Sequence, residues 1–138
     1  MTVQPQRDVK QVLREHGIHP TSQRVAVAEY VLDTTEHPSA DLVWARVKDR
    51  LPVISRATVY NTLNLFVEKG LVRTYSLTEG AQVFDPKTEP HHHFVDEATG
   101  EIHDVPWEAL SVVGVADLEG LEVSDFQVVL RGRSRPPR

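Results

Sequence analysis

Apolar positions before Gly70 recur at intervals of three and four, the period of a helix with one buried face. Val9, Val12 and Leu13 mark a first helix over 6–16, stopped by Gly17. Thr21 caps a second helix running to residue 34, with Val25, Ala28, Tyr30, Val31 and Leu32 inward and Gln23 and Arg24 exposed in its first turn. His37-Pro38 breaks that helix. Ser39 or Ala40 opens a third, with Leu42, Val43, Ala45 and Val47 apolar, ending near Leu51-Pro52. Ser55 caps a fourth over 56–69, closed by Gly70. In this last helix Val59, Leu63, Phe66 and Val67 form the stripe of a buried face. The opposite side carries Ala57, Thr58, Asn61 and Asn64, flanked by Arg56 and Tyr60. Small hydrogen-bonding groups of that kind can approach base edges in a major groove. A plainly solvated face has the same composition, so the helix alone leaves both readings open.

Beyond Gly70 the period falls to two. Residues 71–77 and 81–84 read as strands joined by Thr78-Glu79-Gly80, and a helix-turn-helix followed by a hairpin is the order of a winged helix. Residues 86–90 begin and end with proline and read as a hinge. Two further strands, 91–96 and 101–105, flank the turn Glu97-Ala98-Thr99-Gly100. A weakly patterned stretch, 106–120, leads to a last strand over 121–131, and the basic tail 132–138 is expected to be disordered. The expected fold class is α+β: a winged helix-turn-helix domain over 1–85, the hinge, and a small α/β domain over 91–131.

The chemistry concentrates after that hinge. Successive side chains of a strand point to opposite faces, so His91 and His93 share a face and His92 looks away. With Ala98-Thr99 at the tip of the hairpin, Asp96 stands opposite Glu101 and His93 opposite Asp104. That puts Asp104 on the face of His91 and His93. Two imidazoles and a carboxylate converging on one point suit a divalent first-row metal, and a polar strand facing water is the plain alternative.

Composition narrows the class. The 138 residues are 40% hydrophobic and 25% charged, with no cysteine, which rules out disulfides and thiolate-bound zinc. No apolar run reaches the length of a membrane span and no signal peptide is evident, so a cytoplasmic protein is expected. The net charge of −5 resides wholly in the C-terminal part, leaving 1–85 neutral and able to carry a local basic face.

Four spaced motifs then resemble one family. They are His37-Pro-Ser-Ala-Asp41, Ile54-Ser-Arg-Ala-Thr-Val-Tyr-Asn-Thr-Leu63, Glu68-Lys-Gly-Leu-Val72 and His91-His-His93, and together they resemble the ferric uptake regulator (Fur) family of bacterial metal-dependent repressors. The resemblance implies an N-terminal winged helix that binds a palindromic double-stranded DNA operator and a C-terminal domain that forms a homodimer. It implies a DNA contact at Tyr60, beside which Arg56, Thr58, Asn61 and Asn64 are further candidates. It also implies a regulatory metal site of His37, Asp85, His91, His93 and Asp104. These nitrogen and oxygen donors suit Fe(II) or Mn(II), and Zn(II) can fill such a set in vitro. Tying residues before the hinge to residues after it would fix the spacing of two reading helices in a dimer.

The sequence also departs from the family pattern. A structural zinc held by two Cys-x-x-Cys pairs is not expected, since Asp96, Thr99, Ser134 and Pro137 occupy those positions. Phe126 stands near a histidine that serves a further metal site in some members. Asp104, where glutamate is the other family choice, resembles the peroxide-sensing (PerR) branch, in which bound iron reacts with peroxide and a ligand histidine is oxidised. The cysteine-free C-terminal part and Asp104-Val-Pro106 also resemble the iron response regulator (Irr) branch, which senses haem; there His92 would matter. A plain metal-responsive repressor and a metal-free adaptor are further alternatives. A zinc hydrolase lacks support, because no general base stands at a suitable spacing and five protein ligands leave no room for a small-molecule substrate. The histidines outside the metal set, among them His16 and His19 at the surface, receive structural readings.

Overall fold

The computed structural model describes residues 8–78 and 81–136, so the wing tip Glu79-Gly80, the first turn expected from residue 6 and Pro137 lie outside the description. The chain divides into two compact units, Met1–Thr88 and Glu89–Arg138.

The first unit holds α1 (Val9–Glu15), α2 (Ser22–Val31), α3 (Ala40–Val47) and α4 (Arg56–Glu68), then strands β1 (Arg73–Thr78) and β2 (Ala81–Asp85). Each helix starts where a short polar side chain accepts a hydrogen bond from the backbone N–H three residues on. Asp8 receives Gln11 N, Thr21 receives Arg24 N, Ser39 receives Leu42 N and Ser55 receives Thr58 N. Such a cap contributes ~1 kcal/mol. Two helices close with glycine in the left-handed region, Gly17 at φ 73° and Gly70 at φ 77°. There Ile18 N donates to Leu13 O and Leu71 N to Phe66 O, both at 2.8 Å, which turns Ile18 and Leu71 into the core. That core runs through Leu13, Val27, Val31, Val43, Val47, Val59, Leu63 and Phe66 and takes Phe84 from β2. Helices α2 and α3 end earlier than expected. Leu32 and Lys48 still bond back to Ala28 and Trp44, but the chain then opens into turns.

β1 and β2 form an antiparallel pair, irregular between Ser76 and Thr78, completing the winged helix. A hydrogen bond from Phe84 N to Pro38 O at 2.9 Å ties β2 to the segment entering α3.

The second unit is a three-stranded sheet of order β4-β3-β5, with β3 (His92–Asp96) central, β4 (Ile102–Val105) antiparallel and β5 (Val129–Gly132) parallel to it. His93 pairs with Asp104, and Asp96 N donates to Glu101 O at 2.9 Å, the register that the turn dictates. Gly100, at φ 77°, closes that turn with its N–H on Asp96 O. Between β4 and β5 run two single-turn 3₁₀ helices, Trp107–Ala109 and Val115–Asp117. The last strand is a correction: residues 121–128 are not strand. The alternation of Leu121 and Val123 suggested one, yet these side chains are 66% and 40% exposed and their backbone pairs with no neighbouring strand.

Candidate metal centre and nucleic-acid interface

Within the first unit, Phe84 N–Pro38 O sits between the two neighbouring residues that matter, His37 and Asp85. Both are buried, and His37 Nε2 lies 3.3 Å from Asp85 Oδ2. His37 occupies the left-handed region at φ 50°, the one non-glycine residue to do so among the described residues. A conformation held against its preference before a proline is a feature that clusters at functional sites. The loop leading to it is tied down by Glu36, which accepts from Arg46 at 3.0 Å and from Tyr30 Oη at 3.1 Å. The Arg46 guanidinium, with the Tyr30 hydroxyl, holds the Glu36 carboxyl below the usual carboxylate range.

Within the second unit, His91 and His93 do share a face. Their rings meet edge to face at 4.6 Å, and their Nε2 atoms lie 3.5 and 3.8 Å from Asp104 Oδ1. Both imidazoles are buried, while Asp104 is 36% exposed.

All three imidazoles are oriented alike. Nδ1 of His37 donates to Thr35 O (3.1 Å), Nδ1 of His91 to Glu89 O (2.7 Å) and Nδ1 of His93 to Gln127 Oε1 (2.8 Å). Each Nε2 therefore presents its lone pair toward a carboxylate. Ligand atoms about 2.0–2.2 Å from one ion are separated by roughly 3.0–3.5 Å. The His37–Asp85 and His91–Asp104 distances fall in that range, and His93–Asp104 lies just beyond it. The donor set fits a hard or borderline divalent ion.

His92 lies on the other face of the strand from His91 and His93. It is buried, stacked on Trp107 at 4.6 Å and 15°, and its Nδ1 accepts from Val128 N at 2.9 Å. Trp107 in turn packs on Phe126, so an aromatic stack occupies that face of the sheet. Of the residues standing where cysteines would hold zinc, Ser134 and Thr99 both donate to Asp96: Ser134 Oγ to Oδ2 at 2.8 Å and Thr99 N to Oδ1, which Ala98 N also reaches. His16 is half-buried with Nδ1 on Val12 O, and His19 is exposed.

On α4, Arg56, Tyr60, Asn61 and Asn64 are exposed, and Val59, Leu63 and Phe66 are buried. Thr58 differs from the other reading candidates. It is half-buried, and its hydroxyl accepts from Ser55 Oγ at 2.9 Å as part of the helix cap. Arg56 lies over the Trp44 ring at 4.5 Å, a ring shared with Lys48 at 4.4 Å and held by Trp44 Nε1 on Ile54 O. Sequence periodicity did not single out this two-cation cluster on α3 and α4.

The sequence model of the ferric uptake regulator family matches residues 15–130. The peroxide operon regulator of Bacillus subtilis is 33% identical over 128 residues, covering 91% of this chain and 88% of that one. Among solved structures, the Campylobacter jejuni peroxide stress regulator superposes with a TM-score of 0.66 at 28% identity, over 94% of this chain and 98% of the other. The Vibrio cholerae ferric uptake regulator gives 0.71 at 26% identity, over 92% and 100%. These relatives are regulators rather than enzymes, and so is this protein. The chain belongs to the ferric uptake regulator family of metal-responsive regulators.

Proposed function

We propose that the protein is a cytoplasmic repressor that binds palindromic operators as a homodimer when a divalent ion joins His37 and Asp85 to His91, His93 and Asp104. The observation that carries this reading is the common orientation of the three imidazoles, each with Nδ1–H tied to a carbonyl and Nε2 toward a carboxylate. The boundary between the units falls within the residues read as a hinge, 86–90, so an ion bound from both sides would restrict it. Tyr60, Asn61 and Asn64 supply the reading face, flanked by Arg56 over Trp44 for the phosphate backbone and by Thr58, whose hydroxyl accepts from the Ser55 cap. Exposed apolar side chains of the second unit, Val113 at 95% and Leu121 at 66%, are the kind of surface a second copy would cover.

Fe(II) or Mn(II) is the proposed ion, and peroxide the proposed signal. Iron held by these residues would supply one chemistry, the activation of hydrogen peroxide. In the net reaction an imidazole C–H of His37 or His91 gains one oxygen atom while the peroxide leaves as water, a two-electron oxidation with no other reactant. The oxidised ring is a weaker ligand, the two units uncouple and DNA is released. The placement of His92 supports this reading over haem sensing, since its ring is stacked on Trp107 and its Nδ1 accepts from Val128 N, which leaves the ring proton on Nε2. The test is mass spectrometry of Fe(II)-loaded and Mn(II)-loaded protein after a low peroxide dose. A gain of about 16 Da on a peptide holding His37 or His91, in the iron form only, is expected. Intact histidines in the iron form would overturn peroxide sensing.

A further inference from the structure

We propose that Gln127 is a positioning residue for the metal, holding His93 in the one tautomer that can ligate through Nε2. The inference rests on the reading of His93 as a ligand. His93 is fully buried, and its Nδ1 lies 2.8 Å from Gln127 Oε1. An amide oxygen only accepts, so the ring proton sits on Nδ1 and the Nε2 lone pair faces Asp104.

Three features make this more than a generic contact. First, His37 and His91 take their Nδ1 acceptors from backbone carbonyls two residues away, whereas His93 depends on a side chain thirty-four positions later. Among the three imidazoles, His93 is thus the one whose tautomer a substitution can change. Second, the residue next to Gln127 sets the neighbouring histidine the other way. Val128 N donates to His92 Nδ1, which places the proton of neutral His92 on Nε2. Adjacent residues 127 and 128 therefore fix adjacent histidines in opposite tautomers, making His93 competent as an Nε2 donor. Third, Val128 O accepts from His93 N at 3.1 Å, and β5 then pairs in parallel with β3 from Val129. The amide is carried by backbone already fastened to the ligand strand, so its orientation is built into the sheet.

Removing an outer partner of a ligating histidine weakens metal binding by ~10–100-fold. Gln127→Leu keeps the volume and loses the acceptor, and Gln127→Glu keeps an acceptor. The test pairs two readouts on the full chain. Nitrogen-15 NMR of the ring nitrogens in chelator reports the His93 tautomer without any metal, and Mn(II) titration reports affinity. The expected result is an Nδ1–H tautomer in the parent, a mixture in Gln127→Leu with Mn(II) affinity down ~10–100-fold, and restoration of both by Gln127→Glu. A proton on Nε2 of His93 in the parent would overturn the proposal, as would unchanged affinity in Gln127→Leu with its tautomer altered. Should Gln127→Leu fail to fold, the Glu variant decides alone: loss of affinity there, despite a retained acceptor, overturns it. His93→Ala is the control. If that variant binds Mn(II) as the parent does, the ligand reading itself fails, and the proposal with it.

Discussion

At the scale of single residues, His37 is buried and is the one non-glycine residue with a positive φ among the described residues. Its φ of 50° suits asparagine as well as histidine, because a short polar side chain tolerates the left-handed region. His37→Asn should therefore keep the thermal midpoint close to the parent while Mn(II) affinity falls by at least about tenfold, measured by titration. A large loss of stability with unchanged affinity would assign His37 to the fold instead. The exposed face of α4 invites a division of labour. Arg56 and Lys48 both lie over Trp44, and on the proposed reading Arg56 would neutralise phosphate. Arg56→Ala should weaken binding to all duplexes alike and lower the slope of log affinity against log salt by about 0.9. Tyr60→Ala and Asn61→Ala should instead erode discrimination between operator and random duplex by ~1–3 kcal/mol for each lost base contact.

At the scale of elements, α4 serves two faces, and its inner one is secured by Phe66, which is fully buried. Phe66→Ala should destabilise the first unit by ~3–5 kcal/mol in denaturant titration. The β3–β5 pair has a different fastening. Asp96 gathers hydrogen bonds from Ser134, Ala98 and Thr99, and the Ser134 hydroxyl foremost holds its carboxyl below the ordinary 3.8. A depressed carboxyl stabilises the fold above its unfolded value and loses that contribution as pH falls through the folded one. The Ser134→Ala variant should therefore be less stable than the parent at neutral pH, and the gap should close below about pH 3.8. Much of this was legible in the sequence. The Thr21 and Ser55 caps and the Gly17 and Gly70 stops rest on local chemistry, and the β3–β4 register follows from a short turn; the Asp8 cap does not stand out, since the sequence pattern starts the first helix at residue 6. What escaped depends on distant partners. The last strand begins at Val129 because parallel pairing with β3, not the alternation of Leu121 and Val123, defines it. The ties from Gln127 and Val128 to the histidines span more than thirty residues, and no periodicity records them.

At the scale of the whole molecule, each unit holds its own group of candidate ligands, His37 with Asp85 in the first and His91, His93 and Asp104 in the second. Each unit also has its own means of holding shape, a hydrophobic core in the first and the hydrogen-bonded sheet with its Trp107 stack in the second. Dialysis against a strong chelator should therefore leave the helical circular dichroism unchanged, whereas cooperative unfolding would mean that metal is structural. On the proposed reading an ion would restrict the hinge between the units, and DNA binding should follow it. The direct test is fluorescence anisotropy of a labelled duplex from the protein's own upstream region, titrated with protein in Mn(II) and again in chelator, for the parent and Asp104→Ala. Tight binding by the parent in Mn(II) alone, with Asp104→Ala failing in both, is the predicted result; equal, tight binding of both proteins in chelator would contradict the account.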